Sequence, residues 1–291
     1  MPGSSAYILW GDGDSLLVSV DNRLVLLEGG EGRVVFEARP GNFFWHAVGV
    51  EGRVFVQEYG EPPTGIYVSE DLVSWTRVVD NVSIDKSSRH FHYIGYDSYR
   101  GWLIATLGDG NIIRVVYSPD LGRNWRPLYI GPWQFVPFTV LRDKVVFGFD
   151  SGIARGGVGG YYPHENVWQF KFFKPTLSVK SMHFSDLLYI YELGVYVAVF
   201  GSPQVLAVSR DLVYWHPILI EDINASYSYH IGLLRAGERI ISWTGNRVSS
   251  IGLNELSKFL ETQPITKPYS AYIDRLKGSL FMVKRGQWPR F

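Results

Sequence analysis

Three short segments of this chain say nearly the same thing. YSPDLGRNW (117–125), VSEDLVSW (68–75) and VSRDLVYW (208–215) each carry a Ser, an Asp two residues on, and a closing Trp. A degenerate copy, YYPHENVW (161–168), lies between the first and the last of these. The closing residues are Trp75, Trp125, Trp168 and Trp215, with Phe259 next, at spacings of 50, 43, 47 and 44. The acidic residues keep step: Asp71, Asp120, Asp211, then Glu255. A period of about 45 residues limits the fold more than composition does, because each repeat must be one supersecondary unit packed on its neighbours.

Inside each period the apolar residues alternate in short runs, which is the pattern of strands. HYIGYD turns at SYRG, WLIATLG turns at DGN, IIRVVYS enters the Ser–Asp segment, and WRPLYI follows it. The same four-strand reading applies from His46 and from Leu187, and the first unit has four strands and no Ser–Asp segment. Units begin near Tyr7, His46, His92, Pro137, Leu187, His230 and Tyr269, the last with room for two or three strands. A four-stranded unit repeated six or seven times predicts an all-β β-propeller of antiparallel blades, seven with the last incomplete, or six. Residues 1–291 are expected to form one domain, without a linker.

The Ser–Asp segment suits a turn between third and fourth strands. An Asp carboxylate accepts from backbone N–H groups just downstream, Ser does likewise, and Gly122 permits a positive φ. The shorter segments lack that Gly, so tighter turns are expected at 71–74 and 211–214. SPDLGRNW resembles in full the Asp-box, or BNR repeat, Ser-x-Asp-x-Gly-x-x-Trp, of the sialidase-like propellers. That resemblance implies a structural role for Ser118, Asp120 and Trp125 at the blade periphery, and it carries no chemistry.

Lys+Arg and Asp+Glu are both 28, so no global basic field favours nucleic acid or an anionic membrane. There is no Cys for a disulfide, a thiolate metal site or a thiol nucleophile. The start, MPGSSAYILWGDGD, lacks a basic stretch followed by an apolar run. The richest apolar stretch, 191–201, is too short to span a bilayer. A cytoplasmic location is the expectation; a secreted chain whose signal has been removed reads the same way.

In propellers, one channel mouth is lined by first-strand starts, the connections before them, and second-to-third-strand loops. Here that selects Trp45, His46, Arg89, His90, His92, Trp133, Gln134, His183, Tyr229 and His230 from the first group. It selects Glu58, Glu61, Asp109, Asp150, Arg155 and Arg247 from the second. Aligning first hairpins puts His46, His92 and His230 at one position, and His90 falls on the same strand side as His92. Such imidazoles can hold a metal, with Asp109 as carboxylate partner, or act as acid and base. They can equally bond neighbouring backbone along an inner wall, and the sequence leaves both readings open.

Two classes of function follow. A recognition module would bind a glycan or protein partner through His46, His90, His92, His230, Arg155 and Trp133, with no cofactor required. A glycoside hydrolase would need two carboxylates about 5–10 Å apart, for which Glu58, Asp109 and Asp150 are candidates. The sialidase resemblance implies a three-arginine clamp, for which Arg89, Arg155 and Arg247 are available. The family's early Arg-Ile-Pro is missing, since the first strand reads AYILW, and no Tyr–Glu pair is assignable. A His–carboxylate pair would favour catalysis, and an open face with aromatics would favour binding.

Overall fold

The computed structural model describes residues 6–150, 156–172, 181–202, 205–220, 231–244 and 247–262. Among them the chain runs as successive antiparallel meanders. The first sheet contains β1 (Ala6–Asp12), β2 (Ser15–Val20), β3 (Arg23–Glu28) and β4 (Glu31–Glu37). The second contains β5 (Phe43–Val50), β6 (Arg53–Tyr59), β7 (Gly65–Ser69) and β8 (Thr76–Asp80). A single helical turn, α1 (Asn81–Ile84), leads to β9 (His90–Asp97), β10 (Trp102–Gly108), β11 (Ile113–Ser118) and β12 (Arg126–Ile130). The fourth sheet is β13 (Phe135–Val140), β14 (Val145–Phe149), β15 (Gly157–Tyr162) and β16 (Val167–Phe172). The fifth is β17 (Ser181–Ile190), β18 (Val195–Ser202), β19 (Val205–Ser209) and β20 (His216–Ile220). The sixth has three strands, β21 (Ile231–Ala236), β22 (Arg239–Thr244) and β23 (Arg247–Gly252), followed by α2 (Leu253–Thr262). These are the blades of an all-β β-propeller, six among the described residues. The segment from Tyr269, expected to start a seventh, lies outside them.

The chain divides within β13 into two compact units, Met1–Val136 and Pro137–Phe291. In the first, one cluster packs Leu17, Leu24 and Leu26 of the first sheet on Phe44, Val54 and Val56 of the second. A second cluster joins Val50, Phe55 and Ile66 to Phe91, Leu103 and Val116 of the third. In the second unit, Trp215 is fully buried and packs edge-on against Phe184 and Phe200, at 5.8 and 5.2 Å. Each large side chain removed from water in this way contributes about 1.5–3 kcal/mol. Among the described residues no helix is long and apolar enough to cross a membrane.

The Ser–Asp segments are the turns between third and fourth strands, as expected. Asp120 Oδ1 accepts from Asn124 N (2.8 Å) and from Ser118 Oγ (2.8 Å), while Ser118 Oγ accepts from Gly122 N (2.7 Å). Trp125 Nε1 closes the turn on Gly122 O (3.0 Å), and Gly122 has φ +92°. In the shorter copies the carboxylate reaches one residue less far. Asp71 Oδ1 accepts from Val73 N and Ser74 N, and Asp211 Oδ1 from Val213 N and Tyr214 N, all at 2.7–2.8 Å. Leu72 and Leu212 take the left-handed conformation, at φ +62° and +64°, as the matching Leu121 does at +53°, so the shorter turns lack only the second positive-φ residue that Gly122 supplies. The degenerate copy is also a third-to-fourth-strand turn, closed by Tyr161 donating to Asn166 Oδ1 (3.0 Å).

The next Ser–Asp position corrects the expectation. Glu255 and Phe259 lie in α2, not in a turn before a strand. Leu253, Leu256 and Leu260 recur at helical spacing and are buried against Val208, Ile218 and Ile240. Glu255 Oε2 accepts from Gly252 N (2.7 Å), so this acid caps a helix start instead of a turn.

Candidate functional site

In β9, a bulge decides where the histidines go. Tyr93 pairs with Thr106 and Phe91 with Leu107, so two steps on β9 oppose one on β10, and His92 is the extra residue. Bulges re-aim side chains. His90 pairs with Gly108, and the missing side chain there matters: a Cβ on Gly108 would stand 1.8 Å from His92 Nε2. The His92 ring therefore lies across the Gly108 backbone and reaches His90, with the two Nε2 atoms 3.1 Å apart. Both rings are buried, at 3% and 2% exposure.

The β10–β11 turn brings in a carboxylate. Asp109 and Gly110 both have positive φ, as a tight hairpin turn demands. Asp109 Oδ2 then lies 3.3 Å from His90 Nε2, and its Oδ1 accepts from Gln134 Nε2 (3.0 Å). Asp85 holds the far side of the turn by accepting from Ile112 N and Ile113 N, each at 3.3 Å.

The outer ring nitrogens face carbonyl oxygens. His90 Nδ1 is 2.9 Å from Gly60 O, and His92 Nδ1 is 3.3 Å from Phe135 O. A carbonyl oxygen only accepts, so each Nδ1 is the donor, and in the neutral imidazoles both Nε2 lone pairs point inward. Gly60 is fixed in turn: Asn42 donates to Glu61 O (3.1 Å) and accepts from Glu61 N (2.8 Å). Burial, followed by repulsion from His92, pushes the His90 imidazole down to about 4. Partial burial raises the Asp109 carboxyl, but the Gln134 hydrogen bond and the neighbouring His92, His90 and Arg89 charges outweigh it and leave it below the usual range.

Around this cluster stands a group of half-buried rings. Tyr59 lies 4.0 Å from His90 and 4.8 Å from Trp45, centroid to centroid. Trp45 lies 5.1 Å from His46, and His46 lies 4.2 Å from Tyr93. Arg89 pairs with Glu61 at the exposed edge.

The structure brings His46, His90, His92, Asp109, Gln134, Arg89 and Glu61 together within Met1–Val136. It corrects the alignment of the histidines. β5 carries its own bulge between Phe44 and His46, so Trp45 is the counterpart of His92, and His46 matches Tyr93. It also finds the Glu58 carboxylate committed elsewhere. Glu58 is buried and accepts from Asn42 Nδ2 (2.7 Å), Gly65 N (3.0 Å) and the Tyr67 hydroxyl (3.0 Å). Burial first, then that carboxylate, holds the Tyr67 phenol above its usual range. Trp133 is half-buried beside Gln134. Asp150 follows β14 in the other unit, where its charge opposes the downward shift that burial gives His183. Arg155, Tyr229 and His230 lie outside the described residues.

Sequence reasoning missed Tyr59, Tyr93, Gly60, Gly108 and the Phe135 carbonyl. Gly108 had a signal, since it stands opposite a His across a short hairpin. The carbonyls had none, because every residue has one.

No protein-family model matches the chain, and no curated protein matches it. Solved structures do. A nidogen/laminin complex gives a TM-score of 0.60 at 11% identity, over 83% of this chain and 90% of that one. The tricorn protease gives 0.60 at 14% identity, over 86% of this chain and 25% of the protease chain. The GH74 enzyme of Niastella koreensis gives 0.53 at 14% identity, over 82% of this chain and 41% of the enzyme's. The chain thus spans a quarter of the tricorn protease chain and about two fifths of the GH74 enzyme's. At such identities the likeness shows the fold alone.

Proposed function

We propose that this protein is a recognition module whose ligand, a glycan or a protein partner, seats on the Trp45–Tyr59–Tyr93 ring group. The observation that carries this reading is the grouping of three half-buried aromatic rings with His46 beside the polar set Arg89, Glu61, Asp109 and Gln134. Rings with one apolar face and polar neighbours suit the alternating faces and hydroxyls of a sugar, so a glycan is preferred over a protein. The Ser–Asp turns are read as Asp-boxes that brace the blades away from this ligand seat. Like propellers are found both in a protein complex and in a GH74 enzyme.

A second reading, hydrolysis, draws on the His90–Asp109 contact of 3.3 Å, a His–carboxylate pair of the kind that favours catalysis. It is the weaker one for a two-carboxylate glycosidase. Glu58 is used up in three hydrogen bonds and Glu61 pairs with Arg89, which leaves Asp109 as the carboxylate beside the histidines. The test is a glycan array probed with wild type, Trp45→Ala and the distant control Trp102→Ala. The recognition reading expects defined glycan hits that weaken at least about tenfold in Trp45→Ala, a loss of about 1.4 kcal/mol, and persist in Trp102→Ala. Hits unaffected by Trp45→Ala would defeat it. Turnover of chromogenic glycosides that stops in Asp109→Asn would favour the second reading.

A further inference from the structure

We propose that His90 Nε2, His92 Nε2 and Asp109 Oδ2 form a binding site for a divalent transition-metal ion of the zinc class. The ligand atoms all lie within 4.8 Å of one another, with edges of 3.1 Å (His90–His92) and 3.3 Å (His90–Asp109). Tetrahedral zinc with bonds of about 2.0–2.1 Å places neighbouring ligand atoms about 3.3 Å apart, so both edges fit one ion.

Chemistry points the same way. Both Nδ1 hydrogens are turned out to the Gly60 and Phe135 carbonyls, so two imidazole lone pairs and a carboxylate oxygen converge as acceptors. Three acceptors at these distances repel unless a proton or a metal ion lies among them, and a metal ion engages all three at once. Each ligand is also held from behind as metal ligands are: a carbonyl on each His, and the Gln134 amide on Asp109 (3.0 Å). Imidazole nitrogen with one carboxylate oxygen selects zinc and its neighbours over calcium or magnesium, which take oxygen ligands. Three protein ligands, two of them buried, match open zinc sites more than closed structural ones. The site stands independently of the ring group's role, since it needs only these three atoms and Gly108.

The test is isothermal titration of chelator-stripped protein with zinc chloride, repeated with cobalt(II) as a spectroscopic probe. Wild type is expected to bind one equivalent and to give the absorption of tetrahedral cobalt. Asp109→Asn removes an exposed turn ligand with little risk to folding and should weaken binding at least about 100-fold. Gly108→Ala keeps all three ligands but drives a methyl into the His92 ring, and it should weaken binding similarly. Gln134→Ala, which releases Asp109, should cost about 10–100-fold. The proposal is overturned if wild type binds no stoichiometric metal, or if binding is unchanged in Asp109→Asn, whose fold is checked by circular dichroism. Glycan binding that survives metal stripping leaves the ring group's role intact, so the two readings fail separately.

Discussion

Replacing Asp186 by Asn tests how the blades of the second unit are held. Asp186 lies in β17, buried at 8% exposure. Its Oδ1 accepts from Leu187 N (2.9 Å), and its Oδ2 accepts from Leu233 N (3.1 Å) on β21 of the following blade. Burial pushes the carboxyl up to about 7 despite these two donors. A carboxyl whose folded pKa is raised favours the folded state most when protonated. Its contribution is complete below the unfolded value of about 3.9 and is lost as pH rises through about 7. Three units at about 1.36 kcal/mol each make this about 4 kcal/mol between about pH 4 and pH 7. Asp186→Asn cannot ionise, so that slope disappears. The amide accepts through one atom only, leaving one backbone N–H unmet at a cost of about 1–3 kcal/mol. The variant should therefore be less stable than wild type near pH 4 and more stable near pH 8. Urea unfolding of both proteins across that range reads the crossing directly. Parallel pH profiles would refute the reasoning.

Other consequences follow from the packing and the turns. Trp215→Ala empties a site enclosed by Phe184 and Phe200 and should cost about 3–5 kcal/mol in denaturant unfolding. Gly122→Ala puts a side chain at φ +92°, 3.3 Å from Val78, and should cost about 1–2 kcal/mol or more by the same assay. The Asn124 side-chain and backbone hydrogen bonds, then Ser118, hold Asp120 down to about 2. The stability from this lowered pKa is present above the unfolded carboxylate range and is lost as pH falls through about 2. Asp120→Ala should lower the melting temperature at pH 7, and the gap to wild type should close in strong acid.

Much of the fold was legible because its determinants are local. Alternation, the SYRG and DGN turns and the Ser–Asp segments each act within a few residues, and the third blade follows them closely. The miss at Glu255 came from trusting the period over the local pattern, since Leu253, Leu256 and Leu260 already had helical spacing. The site was legible as a neighbourhood, because loop position selected His90, His92, Asp109 and Gln134. Its details were not, because they depend on register. The bulges stand at matching places in β5 and β9, so they do not separate His46 from His92. Four residues lie between His46 and the two-residue β5–β6 turn, as four lie between Tyr93 and the four-residue β9–β10 turn, and that difference in turn length hides the register in the sequence. Glu58 looked available for chemistry because its partners Asn42 and Tyr67 reach it only once the second blade is folded.

The central claim, that the ring group is where a ligand seats, is tested most directly by hydroxyl-radical footprinting. The protein would be saturated with the best glycan from the array, or with a captured partner. The account predicts protection of Trp45, Tyr59 and Tyr93 and unchanged reactivity at the packed Trp102–Tyr117 pair, whose rings lie 4.4 Å apart. Protection confined to other surfaces, with Trp45 and Tyr59 as reactive as in the free protein, would contradict it.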